Sequence, residues 1–213
     1  MIQILVADDH DLVRMGIVRM LSDIPEFTVV GEAKSGEEAL SLARELNPDI
    51  VLMDVQMPGI GGLEATKKVV AMCGKTKVIA VTGLSDDLFA EKLMQAGASG
   101  YVTKGAGFDE IVSAVKLVSS GRPFISPAIA QKIALKNCGG KVEESPFERL
   151  SSRELQTAIS ITNGKKVTDI ADAFCVSPKT VNSYRYRIFE KLNIQSDVEL
   201  ALLAVKYQIL DIV

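Results

Sequence analysis

Three acids, a threonine and a lysine stand at the ends of apolar runs in the first half of the chain, placed where they could share one site. Asp8-Asp9 follows Ile4-Leu5-Val6-Ala7, Asp54 follows Ile50-Val51-Leu52-Met53, Thr82 ends 77–82, and Lys104 comes just after 100–102. Three carboxylates crowded together repel unless a cation offsets them. An oxygen-rich set of this kind suits Mg²⁺, which takes one or two carboxylates and keeps several waters. The ammonium and the hydroxyl then suit the oxygens of a phosphoryl group carried on Asp54. Plainer readings exist: an Asp after a strand caps a loop, and an Asp/Lys cluster can be simple charge balance. Agreement among five positions favours the cation and phosphoryl chemistry.

Such a site needs parallel strands that deliver all these residues to one edge. The run 50–53 is apolar without alternation, which fits a strand buried on both faces of a sheet covered by helices. Strand-like and helix-like segments alternate around it. Strands are expected at 2–7, 27–31, 50–53, 77–82 and 100–102, and helices at 11–22, 36–46, 63–72, 86–96 and 108–119. Ser35 with Glu38 three residues on is a capping box. Five β/α units in this length predict an α/β fold, a doubly wound, five-stranded parallel sheet of flavodoxin-like type. Ligands of open α/β sheets lie at the carboxyl ends of the strands, where these polar residues fall.

The 213 residues are comfortable for two domains, and 47% hydrophobic with 24% charged residues describes a globular, core-forming chain. No apolar run approaches the roughly 20 residues of a membrane span, and no leader pattern precedes the first strand. Cys73, Cys138 and Cys175 are scattered without metal-ligand spacing and read as reduced thiols of a cytoplasmic protein. The only histidine is His10, which excludes a multi-histidine zinc site. Charge divides the chain: residues 1–125 carry 17 acids against 12 bases, net −5, and residues 126–213 carry 10 against 12, net +2. Two domains with different partners would account for that division.

The first half, 1–122, resembles the receiver domain of bacterial two-component response regulators. The resemblance is carried by Asp8-Asp9, Asp54 with Met57-Pro58-Gly59, Thr82, Tyr101 and Lys104. It implies that Asp54 accepts a phosphoryl group from a sensor histidine kinase. It also implies that Asp9 and Asp54 hold Mg²⁺ with the Gln56 carbonyl and, through water, Asp8. Thr82 and Lys104 would bind phosphoryl oxygens and Tyr101 would swing inward with Thr82. Receivers usually carry Pro after the lysine, where this chain has Gly105. Leu84, two residues beyond Thr82, is apolar and cannot orient an attacking water, so slow autodephosphorylation is expected.

Beyond 122 a helical start at 126–136 leads into a Gly/Pro-punctuated stretch at 137–146, expected as a flexible tether within a linker at 123–148. From Ser151 the pattern is wholly helical. Ser151 with Glu154 forms a capping box, 167–174 is a short helix, and Ser177-Pro178 opens a helix through about 192. Its expected buried stripe is Val181, Tyr184, Ile188 and Leu192, while Lys179, Thr180, Asn182, Ser183, Arg185, Tyr186 and Arg187 face outward. A short helix, a tight turn and a basic second helix with Asn, Ser and Tyr outside predicts a small all-α helix-turn-helix domain. A bundle with a solvated basic face is the plainer alternative. A last helix, 197–207, is apolar enough either for core packing or for a dimer surface.

This half, 149–213, resembles the LuxR/FixJ-type DNA-binding domain. Leu150-Ser151-Ser152-Arg153-Glu154, Asp169-Ile170-Ala171, Ser177-Pro178-Lys179-Thr180-Val181-Asn182 and Lys191-Leu192 carry the likeness. It implies that Asn182, Ser183 and Tyr186 meet base edges of double-stranded DNA. Lys165, Lys166, Thr168, Lys179, Thr180, Arg185 and Arg187 would contact phosphates, and Leu200, Leu203 and Tyr207 would form a homodimer surface. The whole chain resembles the NarL/FixJ class of response regulators, and within it the GacA/UvrY/SirA/LetA group. That implies a hybrid sensor kinase of BarA/GacS type as partner, with transcription of small regulatory RNAs as output. No enzyme activity is implied beyond self-phosphotransfer and autodephosphorylation at Asp54. The unphosphorylated receiver is expected to occlude the recognition helix or the last helix. A haloacid-dehalogenase-type phosphatase would need an acid where Gln56 stands, and Asp8-Asp9 would repel the phosphate of a flavin. The remaining alternative is a DNA-binding regulator whose receiver acts without phosphorylation.

Overall fold

The computed structural model describes residues 1–83, 87–138, 145–207 and 209. The chain divides into two units, Met1–Gly139 and Gly140–Val213.

In the first unit, strands β1 (Ile2–Ala7), β2 (Phe27–Ala33), β3 (Ile50–Asp54), β4 (Lys77–Thr82) and β5 (Gly100–Thr103) alternate with helices. These are α1 (Asp11–Ser22), α2 (Gly36–Leu46), α3 (Gly61–Met72), α4 (Asp87–Gln95) and α5 (Phe108–Ser119). Strand order is β2-β1-β3-β4-β5, all parallel, with one further short strand beyond β5. The direction of the order reverses between β1 and β3, so the crevice for a ligand opens at the carboxyl ends of those two strands. Strand pleating explains the unbroken apolar runs: Ile4, Val6, Ile50 and Leu52 pack toward α1 and α5, while Leu5, Ala7, Val51 and Met53 pack toward α2 and α3.

The sheet has a sixth strand that the five-unit reading missed, β6 (Phe124–Ile125), paired to β5 through Gly100 and Tyr101. Two residues are too few to show a period, but each flank precedes a proline, Arg122 before Pro123 and Ser126 before Pro127, which favours extended backbone. Helix α6 (Pro127–Cys138) follows and contacts α4. Residues 124–138 thus belong to the sheet-bearing unit. Of the tether expected at 137–146, residues 139–144 lie outside the described residues, as does Leu84.

In the second unit a 3-10 turn (Pro146–Arg149) leads to α7 (Ser152–Thr162), α8 (Val167–Ala173), α9 (Pro178–Leu192) and α10 (Asp197–Lys206). Ser151 and Glu154 form the reciprocal capping box, and Ser177 and Ser196 accept from backbone N–H groups of the first turns of α9 and α10. Phe147, Leu155, Ile170, Val181, Ile188 and Leu200 are fully buried in this unit. Tyr184, expected in the buried stripe of α9, is half-buried.

Candidate functional site

The register of the sheet brings the polar strand ends together. Ala7 pairs with Met53, Asp54 with Val81, and Thr82 with Thr103, so Asp8, Asp9, Asp54, Thr82 and Lys104 emerge side by side. Asp8 and Asp54 are 2% exposed. Lys104 Nζ reaches both, 2.7 Å from Asp8 Oδ2 and 2.8 Å from Asp54 Oδ2. On the other side of each carboxylate stands a backbone donor: Gln56 N donates to Asp54 Oδ1 at 3.1 Å and His10 N to Asp8 Oδ1 at 2.9 Å. Gln56 itself is exposed. Thr82 and Tyr101 are fully buried, Tyr101 with its side chain inside. The Lys104–Gly105 peptide is trans.

Burial, and the neighbouring Asp8 charge, push the Asp54 pKa above the usual carboxylate value in spite of Lys104. Burial works to lower the Lys104 pKa, but Asp54 and Asp8 outweigh it and raise it. One ammonium shared by two buried carboxylates therefore leaves Asp54 under-compensated. Donor atoms of Asp8, Asp9, His10 and Asp54 lie within 4.8 Å of one another. Surplus buried negative charge and an oxygen-dominated donor set fit a hard divalent cation.

Two participants were invisible in the sequence. His10 Nδ1 stands 2.9 Å from Asp9 Oδ1 at the mouth of the pocket. Arg14, buried on α1, donates from Nη1 to the Asp8 carbonyl at 2.8 Å and from Nε to Glu32 at 3.1 Å, and pairs through Nη2 with Asp11. It ties the end of β1 to β2. Arg14 sits on the buried side of an amphipathic helix, a placement that only the i, i+3 spacing from Asp11 hints at.

In the second unit, Lys165, Lys166 and Thr168 lie around the start of α8, the two lysines exposed and Thr168 at the surface beside Asp169. Lys179, Ser183, Tyr186 and Arg187 lie along α9, and Thr180 and Asn182 are half-buried or at the edge of that face. Tyr186, 73% exposed, is the most prominent apolar surface on that face. Arg185 departs from the expected outward phosphate contact. Its guanidinium is held by both carboxylate oxygens of Asp197 at 2.7 and 2.5 Å and lies over the Phe189 ring. The residues expected at the dimer surface lie mostly inward. Leu200 is fully buried and Leu203 and Tyr207 are half-buried, whereas Val198, Leu202 and Val205 are exposed. Helix α10 is apolar on two faces, and the sequence alone did not say which faces inward.

The family described as response regulator receiver domain matches residues 4–116, and that of bacterial regulatory proteins, luxR family, matches residues 148–204. The chain is 60% identical over 211 residues to the response regulator GacA of Pseudomonas viridiflava, covering 99% of each. It is 51% identical to the response regulator UvrY of Escherichia coli K12, covering 97% of this chain and 95% of that one. RcsB of Salmonella enterica serovar Typhimurium, solved bound to the P1flhDC promoter with the phosphomimetic BeF3⁻, shares the fold. Its TM-score is 0.68 at 22% identity, covering 96% of this chain and 98% of that one.

Proposed function

The chain belongs to the two-component response regulators that join a receiver domain to a LuxR-type DNA-binding domain, and from that premise we propose that phosphorylation of Asp54 switches on dimeric DNA binding and transcription activation. The observation that carries this reading is Lys104 Nζ bridging buried Asp8 and Asp54 where the strand order reverses. Asp54 is the acceptor: one carboxylate oxygen attacks the phosphorus of a phosphohistidine, the P–N bond breaks, and the histidine nitrogen leaves to take up a proton. Lys104 and Thr82 meet phosphoryl oxygens, and Tyr101, on the strand beside Thr82, couples the site to the surface around α4 and β5. Asp9, Asp54 and the Gln56 carbonyl would hold Mg²⁺, with Asp8 acting through water. When bound, the cation neutralises the crowded carboxylates and the charge of the transferring group. We place the receiver over 1–122 with β6 and α6 continuing the same compact unit, and the DNA-binding domain over 149–213.

A sensor histidine kinase, of the hybrid BarA/GacS type, is the phosphoryl donor. A groove of about 210 Å³ beside the site, lined by Leu12, Met20, Lys104 and Phe108, supports a docking donor protein. Leu12 and Met15 are 86% and 61% exposed next to it, more apolar surface than a helix face needs for itself. Free thiols at Cys73 and Cys175 accord with a cytoplasmic setting. No described helix is long and apolar enough to cross a membrane.

Helix α9 enters the major groove. Asn182, Ser183 and Tyr186 read base edges, and Lys165, Lys166, Thr168, Lys179, Thr180 and Arg187 position the domain on phosphates. Arg185 is assigned instead to holding α10 against α9. The dimer surface is the Val198, Leu202, Val205 stripe of α10, spaced i, i+4, i+7. The output is transcription of small regulatory RNAs.

Gel-shift titration of a two-fold promoter site, with and without acetyl phosphate and Mg²⁺, tests the switch. Tighter binding by phosphorylated wild type, absent from Asp54→Asn, is the expected result. Equal binding in every lane would leave a DNA-binding protein whose receiver acts without phosphorylation.

A further inference from the structure

Glu37 lies in the first turn of α2, away from the strand ends, yet its carboxylate reaches across to the loop that leaves the phosphoacceptor strand. Ile60 N donates to Glu37 Oε1 at 2.8 Å. The second oxygen lies over Gly59: a Cβ built there would stand 1.9 Å from Glu37 Oε2, and Gly59 has φ +71. Behind it, Gly36 lets the helix start sit against the same backbone, since a Cβ there would meet Ile60 Cγ1 at 2.7 Å and the Gly61 carbonyl at 2.9 Å. Two glycines thus make room for one carboxylate and one helix end to grip residues 59–61.

The far end of that loop is the site itself. Gln56 N donates to Asp54 Oδ1. Gly62 N donates to the Val55 carbonyl at 3.1 Å, and a Cβ on Gly62 would fall 1.8 Å from the Asp54 carbonyl. Residues 55–61 therefore form a short span pinned at Asp54 by backbone contacts and at Ile60 by Glu37. Glu37 is exposed, so it adds little to the core; its contact is with the loop.

We propose that Glu37 is a positioning residue for the phosphorylation site, holding the 55–61 loop in the conformation that sets the Gln56 backbone beside Asp54. The proposal rests on the cation-and-phosphoryl reading of the pocket. A loop released at Ile60 samples other backbone conformations, and each departure removes the Gln56 donor and carbonyl from the pocket together. An exposed hydrogen bond of this kind is worth about three- to tenfold in the equilibrium it biases.

The test measures Mg²⁺ affinity by calorimetry, labelling by acetyl phosphate, and melting temperature on the full chain. It compares wild type, Glu37→Ala and Glu37→Gln, with Asp54→Asn as the unlabelled control. Glu37→Ala is expected to weaken Mg²⁺ binding and slow labelling by about three- to tenfold while melting changes little. Glu37→Gln, whose amide oxygen still accepts from Ile60 N, is expected to restore both to within about twofold. Adding Gly59→Ala to each background gives a second reading. It should cost more in wild type than in the Glu37→Ala background, because the clash it creates is with that carboxylate. Wild-type behaviour of Glu37→Ala would overturn the proposal, as would a Glu37→Gln protein as impaired as Glu37→Ala, which would make the effect one of charge alone. Wild type that neither binds Mg²⁺ nor takes label would instead overturn the reading of the pocket.

Discussion

Asp54 is buried among apolar strands; the proposed phosphoryl transfer is served by such a dry, preorganised site, and the same burial makes it a source of instability. Its pKa is raised by desolvation and by Asp8. A carboxyl whose folded pKa exceeds its unfolded one lowers stability as pH rises through the folded value, and the penalty is full above it. At pH 7 Asp54→Asn is therefore expected to melt roughly 2–4 °C above wild type in calorimetry. The difference should shrink as pH falls below the ordinary carboxylate range, where both states hold the proton. Millimolar Mg²⁺ should raise wild type and not Asp54→Asn; no stabilisation by either change would refute the charge-surplus account. Lys104→Ala should act oppositely, costing about 3 kcal/mol by chemical denaturation, because two buried carboxylates lose the cation they share. These residues were legible in sequence because each ends an apolar run, and strand position converts directly to sheet edge. Arg14 and Glu37 were not. Their roles depend on contacts between elements: Arg14 reaches Glu32 on β2 and Glu37 reaches Ile60 across 23 residues. Chain spacing carries no signal for a partner that remote.

Elements whose ends are marked by local pattern were readable to within a residue or two: α1, β4 and α5 begin and end where periodicity places them, and α9 where its Ser177 cap and Pro178 do. In α7 the marking is energetic as well. Glu154 accepts from Ser151 N and from Lys191 Nζ on α9, and though its burial works to raise its pKa, those donors bring it below the usual glutamate value. A depressed carboxyl contributes stability above its unfolded pKa and loses it as pH falls through the folded one. Glu154→Ala should thus cost the helical unit about 2 kcal/mol at pH 7, read by urea unfolding, and progressively less on acidification below about pH 4.5. Where two faces of one element are apolar, the sequence does not choose. Helix α10 buries Leu200 and Ala204 and exposes Val198, Leu202 and Val205. Leu202→Lys should accordingly leave melting nearly unchanged and weaken dimerisation and two-fold-site binding by tenfold or more. Leu200→Ala should instead cost about 3 kcal/mol in stability as a core truncation. The reverse ranking in sedimentation and melting experiments would return the dimer surface to Leu200.

At the scale of the whole molecule, net charge is −5 over residues 1–125 and +2 over 126–213, but α6 carries Lys132 and Lys136 into the first unit, which leaves 17 acids against 14 bases in Met1–Gly139 and 10 against 10 in Gly140–Val213. The division was visible from composition, and the two family matches fall on either side of it. Composition could not show that residues 124–138 extend the first unit, since a two-residue strand has no period and the two lysines of α6 counted toward the basic side. The second unit is neutral overall, so its hold on DNA is expected to come from a few well-placed cations. Each phosphate neutralised releases condensed counterions, and log affinity falls with log salt by about 0.9 per contact. Lys165, Lys166, Lys179 and Arg187 are exposed cations of that unit. Each replaced by Ala should reduce the salt slope by about one and weaken binding to all sequences alike. Arg185→Ala should behave differently. Its guanidinium is engaged by Asp197, so the salt slope should stay near wild type while the unit loses about 1–2 kcal/mol as α10 loosens from α9. The acidic receiver adds a condition that domain-level reasoning would miss. Phosphorylation makes that unit more negative, which by itself repels DNA, so tighter binding on phosphorylation is expected from pairing two DNA-binding units rather than from charge. Fluorescence anisotropy on a half-site and on a full two-fold site separates the two effects. Acetyl phosphate should leave half-site affinity unchanged or slightly weaker and raise full-site affinity by tenfold or more. An equal gain on both sites would mean that the phosphoryl group acts on each DNA-binding unit singly, without dimerisation.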